Sequence, residues 1–178
     1  SRRAWVPNYA AIPGMQLGDE YGGRGLGRLR PLQWWHDSYE PQDIRASDYN
    51  IRRHYYYNDP SHENYGDEVE MTEEYINTGK LYPTTTKFDW ARTAENPSFL
   101  SSLKDRVKMR LAETYLLLAE AQMQQGKNTE AAASINVVRA RSNTSLVAAG
   151  DVDMDYILDE RARELLGEIH RRFTLART

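Results

Sequence analysis

The clearest hydrophobic pattern of the chain lies in its second half, where apolar residues recur at helical spacing. From Leu103 to Gln125 the sequence contains neither Gly nor Pro. The apolar positions mark one face and then spread nearly all round the predicted helix: Leu111, Tyr115, Leu116, Leu117, Leu118, Ala119 and Met123. A helix of this kind is buried on several sides. Gly126 is well placed for the left-handed conformation that commonly follows a helix end.

Two further helices are predicted after Gly126. Asn128 or Thr129 can cap a second helix that runs to about Ser142, and its apolar positions fall on one face: Ala131, Ile135 and Val138. A third, long helix is predicted over residues 153–176, with acids in its first turns and arginines near its end, which complements the helix dipole. The first two helices form an antiparallel hairpin similar to one tetratricopeptide unit. The predicted fold class is therefore mainly α.

Residues 1–100 show a different pattern, with short periodic stretches between Pro and Gly. A short helix is predicted from Pro31, because Leu32, Trp35 and Tyr39 share one face. Residues 49–58 and 87–90 favour short strands, and the acidic residues 59–79 favour a solvated loop. The sequence thus predicts a loop-rich aromatic segment over residues 1–100, packed with a helical scaffold over residues 101–178, both within one domain.

Composition sharpens this division and excludes several classes of function. All four Trp and most of the 12 Tyr precede residue 100. The net charge is −3 and no basic cluster suggests nucleic-acid binding. The chain contains no Cys, which excludes disulfides and thiolate metal sites within it. It also lacks a run of 18 apolar residues, which a membrane-spanning helix would need.

A set of charged residues in the second half has two interpretations. Glu160, Glu164 and Glu168 recur at helical spacing on one stripe, and Arg161 lies beside them. Such carboxylates can carry acid–base chemistry or hold a metal. They can equally pair between helices with arginines such as Arg139, Arg141 or Arg171. Because the chain supplies an Arg for nearly every acid, we favour a structural ion-pair network of Arg139, Arg141, Glu160, Arg161, Glu164 and Glu168.

Other candidate catalytic and metal sites are weak. Residues 151–155 (DVDMD) begin like a calcium loop, but Tyr156 stands where Gly is required and Ala162 where Glu is required. Helix capping is the favoured role of this stretch. The four His show no paired metal spacing. We therefore expect no catalytic residue, no metal and no cofactor.

Ligand binding is expected instead from aromatic residues in loops. A sugar ring needs a flat apolar surface for its C–H face and polar groups for its hydroxyls. Trp5, Asn8 and Tyr9 lie in a Pro-containing loop where no helix or strand pattern demands burial. They are the predicted ligand-binding residues, although core packing is the commoner role of any single aromatic side chain.

A series of ordered motifs spans residues 20–177. One is the helical stretch of residues 110–121 (RLAETYLLLAEA). The others follow or precede it: residues 23–31 (GRGLGRLRP), Tyr39 with residues 43–45 (DIR), residues 135–141 (INVVRAR), residues 157–165 (ILDERAREL) and residues 168–173 (EIHRRF). In content and spacing these motifs resemble the SusD/RagB family of outer-membrane nutrient-binding lipoproteins, and residues 110–121 are similar to the signature helix of that family. Two departures are Ile169, where the family often has Gly, and Thr174, where it often has Asp.

The resemblance implies a helical, tetratricopeptide-containing surface protein of Bacteroidetes that takes part in polysaccharide utilisation. It would bind glycans or other nutrients without catalysis and deliver them to a SusC-like TonB-dependent outer-membrane channel. The resemblance also implies that residues 1–178 are the C-terminal portion of a SusD-like domain, with the lipid anchor outside this chain. An alternative from another class is a helical-repeat module that binds another protein and no sugar.

Overall fold

The computed structural model describes residues 2–92, 105, 107–168 and 171–177. The chain divides into two compact units. The first unit contains residues 1–32 and 47–105, and the second contains residues 33–46 and 106–178. The described structure is mainly helical with a few short strands, which confirms the predicted fold class. Within the described ranges, no helix combines the length and apolar character that crossing a bilayer requires.

The first unit consists largely of loops and short 3-10 helices, which cover Arg2–Ala4, Tyr9–Ala11, Asp19–Tyr21 and Thr86–Phe88. Strand β1 (Ile51–Arg52) pairs antiparallel with strand β2 (Thr84–Thr85), and Ile51 lies opposite Thr85. Residues 49–58 therefore form less strand than predicted: beyond β1, only an isolated bridge joins Tyr56 to Glu68.

Two other predictions for the first unit are wrong in detail. Residues 59–79 contain a short helix, α2 (Glu73–Asn77), whose first turn is closed by the Thr72 hydroxyl accepting the N–H of Tyr75. Residues 87–90 do not form a strand. The Thr85 hydroxyl accepts the N–H of Lys87 and starts a 3-10 turn there instead. Both corrections come from Thr side chains that bond to the backbone locally.

The core of the first unit is aromatic. Tyr9, Tyr21 and Tyr55 are buried in contact with one another, with ring centroids 5.1 Å apart for Tyr9 and Tyr21 and 5.4 Å apart for Tyr21 and Tyr55. The remaining members are Val6, Ile12, Met15, Val69, Leu81 and Trp90. Burial of these rings gives a loop-rich segment a core of its own.

The second unit begins with helix α1 (Gln33–Asp37), which agrees with the short helix predicted after Pro31. Trp35 is buried and its indole N–H donates to the carbonyl of Ala162 at 2.9 Å. Leu32, predicted on the same inner face, is instead 71% exposed, because the helix starts one residue after it.

Helices α3 (Leu111–Gln124) and α4 (Asn128–Arg139) form the predicted hairpin. Gly126 adopts a positive φ of 74°, and the N–H groups of Gly126 and Lys127 close the end of α3 on Met123 and Gln122. The hairpin core includes Leu116, Ala119, Ala131, Ile135 and Val138. Small Ala residues let the two helices approach closely.

The boundaries of these helices differ from the prediction. Leu103 lies outside the described residues, and residues 107–110 precede the helix because Arg110 has an extended backbone. Lys127, rather than Asn128 or Thr129, occupies the position before α4, and the Asn128 amide donates to Val152. A 3-10 turn, Ala140–Ser142, follows α4.

The predicted third helix is interrupted. Helix α5 (Met154–Leu165) begins after Asp153, whose carboxylate accepts the N–H of Tyr156, so this acid caps a helix. The helix ends at Leu165 because Gly167 takes a positive φ of 70° and the N–H of Glu168 turns back to Leu165. Helix α6 (Arg171–Arg177) follows, and residues 169 and 170 lie outside the described residues.

Candidate functional site

Tyr9 lies in the core of the first unit and not on its surface. Its side chain is fully buried. Its hydroxyl donates to the carbonyl of Gly23 at 2.8 Å and accepts the N–H of Gly18 at 3.1 Å. Burial raises the pKa of Tyr9 to about 12. The hydroxyl ties the 3-10 helix Tyr9–Ala11 to the glycine-rich loop beyond it. Tyr9 therefore offers no free ring face, which departs from the predicted ligand contact.

Trp5 is half-buried in the same unit. Its ring lies nearly parallel to that of Phe88, with centroids 5.6 Å apart and an interplanar angle of 21°. The carbonyl of Trp5 accepts hydrogen bonds from the hydroxyls of Tyr82 at 3.0 Å and Thr84 at 2.8 Å. Both the ring and the backbone of Trp5 are thus held in place by neighbouring side chains.

Asn8 is exposed, and it follows Trp5 by three residues in the sequence. Its N–H donates to the carbonyl of Gly79 at 2.9 Å, so its backbone is fixed. Although Asn8 precedes the 3-10 helix Tyr9–Ala11, its side chain does not cap that helix. In the part of the chain that the structure describes, the Asn8 amide makes no hydrogen bond, which leaves its donor and acceptor groups open to solvent.

A close backbone contact holds the loop beside Trp5 and Asn8. Gly27 and Gly79 both have positive φ, 59° and 71°, and a Cβ added at either residue would lie 2.1 Å or 2.3 Å from the carbonyl oxygen of the other. Gly25 approaches Pro7 as closely, because a Cβ there would lie 1.8 Å from the Pro7 carbonyl oxygen. Glycine is required at these positions for the loop to take this course.

The buried carboxylates of the second unit form a separate feature. Glu160 is fully buried, and its Oε1 accepts from Arg45 at 2.7 Å while its Oε2 accepts from Arg139 at 2.7 Å and from Arg163 at 3.0 Å. Burial alone raises the pKa of Glu160, but the charges of Arg45 and Arg163 outweigh it and hold that pKa below its usual range. Glu160 therefore stays ionised and engaged.

Glu164 is held in the same way, one turn further along α5. Its Oε1 accepts from Arg110 at 2.5 Å and from Arg141 at 2.7 Å, and its Oε2 accepts from Arg45 at 3.0 Å. Arg110 also donates to Glu168 at 2.5 Å and to the carbonyl of Glu164 at 2.6 Å. The guanidinium of Arg110 thus binds both side-chain and backbone oxygens at the end of α5.

Arg161 lies on another side of α5 from these acids. It is buried, and its guanidinium lies 3.6 Å from Glu113 of α3. Arg171, considered as a partner for the acids, instead donates to the carbonyl of Leu158 at 2.7 Å.

Sequence reasoning assigned neither Arg45 nor Arg110 to this network, although both lie in stretches that carry the family resemblance. Arg45 also binds Asp43 at 2.7 Å, and Arg139 also binds Glu40. Arg45 and Arg110 are distant in the sequence from the acids of α5 that they bind, so spacing on one helix gives no sign of these pairs. Their positions in stretches that resemble the SusD/RagB family were the available signal.

The arrangement does not suit acid–base chemistry. Each buried carboxylate of α5 accepts charge-assisted hydrogen bonds from two or more arginines, so its lone pairs are directed at fixed donors. Among the residues that the structure describes, no cluster of three or more His, Cys, Asp or Glu side chains is placed to hold a metal ion.

Comparison with known proteins identifies relatives of the chain. The sequence model of the SusD family matches residues 2–178. The chain is also similar to the SusD-like protein P25 of Formosa agariphila, with 29% identity over 115 residues that cover 61% of this chain and 22% of that protein. The chain thus spans less than a quarter of the curated relative that it matches. No solved structure matches it.

Proposed function

The chain belongs to the SusD family, and on that premise we propose that it is part of a nutrient-binding protein of the bacterial outer membrane. The family in general binds nutrients, glycans among them, at that membrane. The proposed role is capture of glycans or other nutrients without catalysis, followed by delivery to a SusC-like TonB-dependent channel. The protein would lie at the cell surface, held by a lipid anchor outside this chain.

The observations that support the proposal are the half-buried ring of Trp5 and the exposed side chain of Asn8. The indole of Trp5 is backed by the ring of Phe88 and so presents a supported apolar surface. The Asn8 amide lies three residues further along, with free donor and acceptor groups. We propose that these two side chains serve one sugar ring, whose C–H face stacks on an aromatic ring and whose hydroxyls need hydrogen bonds.

The charged residues of the second unit support a non-catalytic role. Glu160 and Glu164 are buried and bound by arginines that reach them from several elements. Such pairs fix the positions of helices and loops, and breaking one leaves an uncompensated buried charge. We therefore propose residues 101–178 as scaffold and residues 1–100 as the segment that carries the ligand-binding residues, within the C-terminal portion of a SusD-like domain.

Titration calorimetry of the protein at its natural length against a panel of neutral and charged oligosaccharides tests the proposal. We expect a saturable signal with at least one glycan, and a loss of affinity of at least about tenfold in a Trp5→Ala variant. Trp34→Ala is the matched control, because Trp34 is a partly exposed indole of the second unit and its removal should leave the affinity unchanged.

Two results would contradict the proposal. Equal loss of affinity in both variants would mean that Trp5 has no particular role. Absence of heat with every glycan, together with co-purification of a protein ligand, would instead support a helical-repeat interaction module.

A further inference from the structure

Most arginines that the structure describes contact a carboxylate. Arg45, Arg110 and Arg139 are examples, and each contacts two or more acids. Among the described arginines that contact no carboxylate, three lie in one short stretch, residues 24–30, which we call the arginine segment. Arg24, Arg28 and Arg30 are exposed.

The guanidinium groups of the arginine segment are largely unengaged. Within the described residues, the side chains of Arg24 and Arg28 make no hydrogen bond or ion pair. Arg30 donates to the carbonyl of Ile76 at 3.0 Å and contacts no carboxylate. The sequence from Tyr21 to His36 contains no acidic residue. The segment therefore carries three exposed positive charges in one short stretch of a chain whose net charge is −3.

The backbone of the arginine segment is fixed, although the guanidinium groups of Arg24 and Arg28 are free. The N–H groups of Leu26 and Gly27 donate to the carbonyl of Val6, and those of Arg28 and Leu29 donate to the carbonyl of Ala4. The close contacts of Gly25 and Gly27 described above hold the same stretch. A ligand that binds here need not order the backbone, which lowers the entropic cost of binding.

The arginine segment lies beside Trp5 and Asn8. The hydroxyl of Tyr82 lies 3.0 Å from the carbonyl oxygens of both Trp5 and Leu29, so these two backbones are adjacent. Asn8 is bound to Gly79, which is in contact with Gly27. The arginine segment therefore belongs to the same region of the first unit as Trp5 and Asn8.

We propose that the ligand captured at this region is an anionic oligosaccharide, whose carboxylate or sulfate groups bind Arg24, Arg28 and Arg30 while a sugar ring stacks on Trp5. The inference rests on the proposed function and specifies its substrate class. Guanidinium groups present a planar set of donors that matches carboxylate and sulfate oxygens. The aromatic surface beside them favours a carbohydrate over an acidic protein segment.

Matched pairs of oligosaccharides test the substrate class in the protein at its natural length. Oligogalacturonate and its methyl ester share a backbone and differ in charge, and a sulfated galactan oligosaccharide with its desulfated form makes the second pair. We expect the charged member of one pair to bind at least about tenfold more tightly than its neutral counterpart, and this advantage to shrink as salt screens the charges. The pair that responds identifies carboxylate or sulfate.

A triple variant, Arg24→Gln, Arg28→Gln and Arg30→Gln, links this preference to the arginine segment. We expect it to lose the preference for the charged ligand and to retain its melting temperature. The control variant Lys108→Gln, Lys127→Gln and Arg172→Gln removes the same charge from exposed positions of the second unit and should bind the charged ligand as the natural sequence does.

Three results would overturn the inference, and they separate it from the proposed function. Binding of neutral glycans with no preference for charged ones would contradict the inference and leave glycan capture standing. A lowered melting temperature in the triple variant, with charged and neutral ligands weakened alike, would assign the arginines to a contact within the protein. Absence of binding to every glycan would contradict both proposals.

Discussion

The guanidinium of Arg45 donates to Oε1 of Glu160 across 2.7 Å, although 115 residues separate the two in sequence. Arg45 follows the short helix near the start of the second unit, and Glu160 lies in the middle of α5. Their side chains are 13% and 0% exposed. The pair therefore joins two distant parts of the chain inside one unit.

Removal of the buried carboxylate is expected to destabilise the protein strongly. Glu160→Ala leaves Arg45, Arg139 and Arg163 without their shared acceptor, and loss of one partner of a buried pair costs about 3–5 kcal/mol. Urea denaturation at neutral pH measures the free energy of unfolding. The exposed Glu130→Gln change on α4 is the control and should have little effect. A cost below about 1 kcal/mol for Glu160→Ala would contradict the role of the network.

The same carboxylate predicts how stability depends on pH. The pKa of Glu160 in the folded protein lies below its ordinary value of 4.5, as described above. The unfolded chain therefore takes up a proton at a higher pH than the folded chain. This contribution to the free energy of unfolding is fully present above pH 4.5 and is lost as pH falls through the lowered pKa.

Urea denaturation at a series of acidic pH values measures this dependence. The natural sequence should lose stability steeply with falling pH, and a Glu160→Gln variant should lose it less steeply because it carries no titrating group there. Glu130→Gln should follow the natural sequence. Parallel curves for the natural sequence and Glu160→Gln would show that Glu160 does not contribute.

Tyr9→Phe is expected to lower stability without changing ligand affinity. The substitution leaves the buried ring but removes the hydroxyl that pairs the carbonyl of Gly23 and the N–H of Gly18. Buried polar groups without partners cost about 1–3 kcal/mol. Thermal unfolding and glycan titration of the same variant measure both effects. Unchanged stability together with weakened glycan binding would indicate that Tyr9 contacts the ligand.

Gly27→Ala is expected to destabilise the first unit. The positive φ of Gly27 disfavours any side chain, and the added Cβ would lie 2.1 Å from the carbonyl oxygen of Gly79. We expect a cost of at least about 2 kcal/mol from strain and displacement of the backbone. Gly150→Ala is the control, because its Cβ would meet nothing within 4 Å. Similar stabilities of the two variants would contradict the close contact.

The hairpin and its turn were accessible from sequence because local rules determine them. Apolar spacing and Gly126 suffice to predict α3 and α4. The break after Leu165 could not be predicted from the sequence, because a single Gly within a helical pattern is often tolerated. The pattern around Gly167 does not indicate its positive φ. After Thr85, the aromatic residues favoured a strand, but the Thr85 hydroxyl accepts a backbone N–H and a 3-10 turn forms there instead.

The candidate site was only partly predictable, since its determinants are contacts between distant residues. Tyr9 sits in a loop without periodicity, so its burial depends on Tyr21 and Gly23, which no local pattern connects to it. Arg24, Arg28 and Arg30 are visible in the sequence, but their lack of acidic partners emerges only when the pairs of the other arginines are known.

The mutual contact of Gly27 and Gly79 has a consequence for how this surface could diversify. Neither position can accept a side chain, and a change at one cannot be compensated at the other because both backbones are left-handed. The exposed residues of the arginine segment carry no such restriction. Relatives that share the glycine pair could exchange Arg24, Arg28 and Arg30 for other side chains and acquire new ligands while the path of the loop stays the same.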